Sequence, residues 1–183
     1  MAFREALEEK KEQIVSRWLE AALSLYQRDA SSLYARQKDR FANPVGHSLR
    51  EGTLAIFEAL VEDTDAEKIR QHLLEIIKIR AVQQFLASES LRFILTLKDI
   101  VREETKDVLH NERDSQQCLD FERKIDRVVL TAFDVYAECR EQVFEIRTKE
   151  MKRSVSWVVD KLNERDGGSV AIGNEEIEEG PRA

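Results

Sequence analysis

From about Ser115 to Asn163 the chain has neither glycine nor proline. Its apolar positions there, Phe121, Ile125, Val128, Ala132, Val135, Cys139, Val143 and Ile146, recur three and four residues apart. That spacing writes one face of a single helix. A helix of nearly this whole length measures roughly 70 Å, about twice the width of a small domain, so it must project or break. Either event is expected at Arg147 to Arg153, RTKEMKR, which offers only Met151 to a core. Before it, Val129, Leu130, Phe133 and Tyr136 widen the apolar arc, and this half is expected to be buried. After it, Val155, Val158 and Leu162 resume a narrow stripe beside Trp157 and Val159.

The rest of the chain fits the all-α class that this helix implies. Among 183 residues there are 6 glycines and 2 prolines, 36% of residues are charged and 7% are aromatic. Such a balance favours helices with charged outer faces over sheets. The length suits one domain with appendages. We place a helical domain at 1–147, a helical extension at 148–165 and a disordered acidic tail at 166–183, where glycines alternate with Glu175, Glu176, Glu178 and Glu179.

Four helices precede the long one. Phe3 to Tyr26 sets Leu7, Ile14 and Ala21 on one line and Trp18 and Leu25 on the next. A loop then runs to Asn43, a strong N-cap, with Pro44 at the first helical position, where a missing N–H costs nothing. Gly46, in that first turn, leaves room for a close neighbour. The second helix carries Val45, Leu49, Ile56 and Leu60, flanked by Leu54, Phe57 and Val61. Gly52 weakens it by roughly 1 kcal/mol unless close packing uses the gap. Thr64 and Glu67 form a capping box for a third helix from near Asp65. Its stripe runs Ile69, Leu73, Ile76 and then Arg80. Snorkelling is the commoner fate of such an arginine, and a partner carboxylate or bound anion the other. Ser88 is the expected N-cap of the fourth helix, with Ile94, Leu97, Val101 and Val108 as its core, Phe93 and Ile100 beside them, and Lys98 in their midst. The polar HNERDSQQ closes it near residue 110.

Charge and motif content exclude several functions. The net charge of −7 and a pI near 5.2 argue against a general nucleic-acid binder. No apolar run approaches the roughly 20 residues of a membrane span, and a soluble, cytoplasmic protein is expected. Cys118 and Cys139, roughly 30 Å apart on one helix, suit core positions in a reducing compartment. His47, His72 and His110 have no metal-ligand spacing, and no phosphate loop or nucleophile motif appears. The residues point to no enzyme, no metal and no cofactor.

Three segments carry a resemblance. DRFANPVGHSL at 39–49, IKIRAVQQF at 77–85 and LRFILTLKDIV at 91–101 resemble the amino-terminal domain of the RsbRD-type RsbT co-antagonists, over roughly residues 10 to 145. The resemblance rests on Arg40, Asn43, Pro44, Gly46, Arg80, Gln83 and Lys98. It implies a sensory module of bacterial stress-signalling assemblies, haem-free, globin-like and dimeric, whose long helix feeds a STAS domain that holds a partner kinase. The 183 residues are expected to hold no STAS domain, so sensing or scaffolding is the part expected to carry over. Leu86-Ala87-Ser88 departs from the proline-containing turn expected in the family and suggests a less sharply broken helix boundary.

The expectation is therefore a non-catalytic signalling module that acts through a regulatory protein partner, without nucleic acid or membrane. It should form a homodimer through Val155, Trp157, Val158 and Leu162. The alternative is a haem or small-ligand carrier, for which His72 is the mid-helix candidate. Arg80, Gln83 and Lys98 are the candidate polar cluster, either converging on one anion or each pairing with a nearby acid.

Overall fold

A computed structural model describes residues 3–27, 44–63, 66–82 and 85–166, without the side chains of 25–27, 44–45 and 165–166. Six α-helices follow in order: α1 (Phe3–Glu9), α2 (Lys11–Gln27), α3 (Pro44–Glu62), α4 (Ala66–Val82), α5 (Ala87–Thr105) and α6 (Glu112–Asp166). A 3₁₀ turn, Lys106–Val108, follows α5. The described residues contain no strand, so the all-α expectation holds. Two units divide the chain, Met1–Val143 and Phe144–Ala183.

In the first unit α2 packs on α3 and α5, and α3 on α4. Trp18, Phe57, Phe93, Ile94, Leu97 and Ile125 are among the fully buried side chains at the centre. Phe121 of α6 meets Phe3 and Phe57 edge-on, with ring centroids 6.1 and 6.2 Å away. The buried face of α6 runs Cys118, Phe121, Ile125, Val128, Ala132, Val135 and Cys139, as its spacing indicates. Both cysteines are unbridged, and burial pushes their thiols up.

Tertiary contacts redraw several sequence-level boundaries. The first helix is interrupted at Lys10, although the Lys10 N–H still donates to Ala6 O at 3.0 Å and the Ile14 N–H to Lys10 O at 2.9 Å. Lys10 Nζ donates to Glu104 O at 2.5 Å, near the end of α5, where a cation complements the helix dipole. Ala22 takes the buried place expected of Ala21. The fourth helix is capped at Leu86, not Ser88: the Leu86 N–H donates to Glu89 Oε2 at 3.1 Å, and Ser88 lies in the first turn. Leucine has no side-chain acceptor, so only this half of a capping box exists. Because α5 stops at Thr105, Val108 leaves the core stripe and is only half-buried.

The long helix begins at Glu112 rather than about 115. Asn111 is its cap, accepting the Asp114 N–H at 2.8 Å. It neither stops nor breaks at 147–153. Leu130 and Phe133, expected inside, are 67% and 52% exposed, and Leu54 of α3 is 39% exposed. The Asn43 cap, the Thr64 capping box and the 166–183 tail beyond Asp166 lie outside the described residues.

Gly52 does use the gap it leaves. A Cβ there would stand 2.6 Å from Ile76 Cδ1 and 3.1 Å from Ile76 Cγ1. Ile76 is itself buried, so its end has little space to retreat into. Overpacking costs about 1–3 kcal/mol, against a helix-propensity gain of about 1 for alanine. Gly52→Ala should therefore lose about 1 kcal/mol in urea unfolding. Ile76→Val removes the clashing carbon, so the double variant should be about 1 kcal/mol more stable than the sum of the singles. Additive losses would disprove the close contact.

Candidate functional site

Arg80 does not snorkel. It is 3% exposed, at the end of the α4 stripe through Leu73 and Ile76. Its guanidinium donates to Glu89 O at 3.2 Å and Ala22 O at 3.3 Å, and its carbon lies 5.3 Å from the Phe93 ring centroid. One buried cation thus ties α4 to backbone of both α2 and α5. A planar fork can serve two carbonyls in different directions while lying against an aromatic ring, which an ammonium cannot.

Arg80→Ala should lose about 3 kcal/mol, since hydrogen bonds from a charged group are worth about 1.5–3 kcal/mol each. Arg80→Lys should recover less than half of that loss in urea unfolding. Full recovery by lysine would show that charge alone suffices.

Lys98 is not drawn to the same place. Its Nζ pairs with Asp126 Oδ1 of α6 at 2.6 Å, the ordinary ion pair considered as the alternative. The described partners of Arg80 and Lys98 are not shared: Arg80 meets the carbonyls of Glu89 and Ala22, and Lys98 meets Asp126. Gln83, Arg40 and Asn43 fall outside the described residues. Pro44 opens α3, as expected, and Gly46 is half-buried in that helix's first turn. His72 is half-buried on α4. Val155, Trp157, Val158 and Leu162 are all exposed on α6.

Sequence reasoning missed the grip of α6 on the corner between α4 and α5. Tyr136 Oη donates to Phe85 O at 2.5 Å, and Arg140 donates to Ala81 O at 3.2 Å. Arg70 of α4 reaches Glu138 at 2.5 Å. The Phe85 N–H donates to Arg80 O in the last turn of α4 at 3.3 Å. α4 ends at Val82 and α5 begins at Ala87, with residues 83–84 between them outside the described residues. Tyr136 and Arg140 lie one turn apart, a sign of a shared polar face, but nothing local names the carbonyls they meet.

The architecture and this corner can be set beside known proteins. Residues 12–151 match the RsbT co-antagonist protein RsbRD N-terminal domain. The chain belongs to the RsbRD N-terminal domain family. The RsbRD match takes in Arg80, Lys98 and the corner, and ends at Met151 inside α6, so Val155, Trp157, Val158 and Leu162 lie beyond it. An uncharacterized protein of Archaeoglobus fulgidus is 34% identical over 76 residues, 42% of this chain and 46% of that protein. The matched stretch is thus less than half the length of that relative. No solved structure matches significantly. Among the described residues no helix is long and apolar enough to cross a membrane.

Proposed function

We propose that this RsbRD-type chain is a non-catalytic signalling module of stress-response character, with a globin-like core, that senses or scaffolds through protein–protein contact and works as a cytoplasmic homodimer. The observation that supports it most is α6. One helix supplies core residues up to Cys139 and then, past Val143, an exposed apolar series.

Phe144, Met151 and Val158 of that series are seven apart, and so are Val155 and Leu162. Their mutual offsets of four and three are those of a coiled-coil seam, whose natural occupant is a second copy of the same helix. Trp157 stands one position off the seam, its ring covered by Lys161 Nζ at 4.4 Å from the centroid. It is the residue best placed for a regulatory partner that meets the helix from outside a dimer.

Sedimentation of the intact chain at tens of micromolar tests the reading. A dimer supports it. A monomer throughout that range overturns the homodimer and leaves α6 without its proposed occupant.

A further inference from the structure

The end of α3, the start of α4 and the middle of α6 enclose a groove of about 270 Å³. Leu60, Ile69 and Val128 give it an apolar floor, and Asp63, Lys124 and Arg127 stand among its lining residues. Asp63 closes α3 in the left-handed region, at φ 59°, and its carboxylate lies 2.8 Å from Lys124 Nζ. Lys124 also reaches Leu60 O, at 3.5 Å. Its ammonium is therefore engaged along the wall.

Arg127 is different. It is exposed; its carbonyl accepts from the Thr131 hydroxyl at 3.1 Å, but its guanidinium takes no hydrogen-bond or ion-pair partner among the described residues. Its fork is available for a planar, two-oxygen acceptor.

The local field agrees. Asp63 is held below the usual carboxylate range, first by its hydrogen bond from Lys124 and then by the charge of Lys124, with Arg127 and Arg4 adding to it. Arg4 is itself paired with Glu8 at 3.5 Å. The lining carries two cations, Lys124 and Arg127, against the one carboxylate of Asp63.

We propose that the groove binds a small organic carboxylate with a short apolar tail, the carboxylate on Arg127 and the tail along Leu60, Ile69 and Val128. The volume is below the usual range for drug-sized ligands, which fixes the class as small. Bare inorganic anions would leave the apolar floor in water, and neutral tails would leave the guanidinium unmatched. The proposal deepens the sensory reading by giving it a ligand class, and rests on that reading only for the purpose of binding.

Hexanoate is the probe, in calorimetric titration of the intact chain, with hexanol and inorganic phosphate for comparison. Hexanoate should bind saturably, one per chain, and hexanol and phosphate at least about tenfold more weakly. Arg127→Ala, at an exposed helix position, should weaken hexanoate by about tenfold or more. Ala66→Leu, which fills the groove without touching a charge, should weaken it as well, with circular dichroism confirming that both variants fold. No saturable hexanoate binding, unchanged affinity in Arg127→Ala, or phosphate or hexanol binding as tightly as hexanoate would each overturn the proposal. A dimer that ignores hexanoate refutes the groove and leaves the signalling module intact. A monomer that binds hexanoate keeps the groove and overturns the homodimer.

Discussion

Trp18→Ala should remove about 4 kcal/mol of stability, the largest loss expected from any single truncation in the first unit. Trp18 is fully buried, its Nε1–H donates to Phe93 O at 2.7 Å, and its ring stacks on Phe93 with centroids 6.0 Å apart and planes 21° apart. Truncation opens a cavity between α2 and α5 and removes the donor at once. A domain of this size has about 5–15 kcal/mol in total, so the variant should sit close to unfolding at physiological temperature. Trp18→Phe keeps most of the volume and should lose only about 2 kcal/mol. Urea unfolding followed by circular dichroism measures both. The chain's other tryptophan, Trp157, is 60% exposed, so native Trp18→Phe should emit at the long wavelengths of a hydrated indole. A loss below about 1 kcal/mol in Trp18→Ala would contradict the packing described for this residue.

The second large effect concerns association rather than folding. Val155→Glu/Val158→Glu puts two carboxylates into the proposed seam of each helix. Burying a valine is worth about 1.5–3 kcal/mol, and the seam would lose that and gain like-charge repulsion. The dimer constant should weaken at least about a hundredfold, the equivalent of about 3 kcal/mol. Core melting should stay in place, because both positions are exposed and belong to the second unit. Trp157→Ala, off the seam, should leave the dimer as it was. If the double variant lowered the core melting temperature in step with dimerisation, this segment would be ordinary core and the association reading would fail.

Periodicity carried much of the fold. The spacing of apolar residues located the helices and named most of the buried face of α6, because a helix in contact with a core must repeat every three or four residues. It was also right about Arg80 where chemistry misled: position on the stripe said buried, and the charge suggested a route to solvent. The structure resolves the conflict with two backbone carbonyls that no local pattern announces.

What was not legible depended on distant partners. The interruption at Lys10 contains neither glycine nor proline, and coincides with a lysine reaching a carbonyl 94 residues away. Leu130 and Phe133 are apolar without being buried, since hydrophobicity records what a side chain prefers and not which face the fold covers. One signal was present and unread. Asn111 and Asp114 stand in the cap and third-residue positions of a helix start, and Asp114 does pair back with Asn111 at 2.7 Å. The groove at Arg127 had no sequence signature, because its walls come from three helices far apart in the chain.

That same Asp114 has a consequence for how the protein is made. Its carboxylate is buried and accepts the Phe3 N–H at 3.3 Å, joining residues 111 apart, beside the Phe3–Phe121 ring contact. During synthesis α1 leaves the ribosome well before α6, so although α2, α3 and α5 can meet it earlier, the part of its binding place made by Asp114 and Phe121 is completed only when α6 follows. The edge of the Phe3 ring that meets Phe121 stays uncovered until then. Closing so long a loop late in assembly makes the docking of α1 a step that synthesis itself schedules.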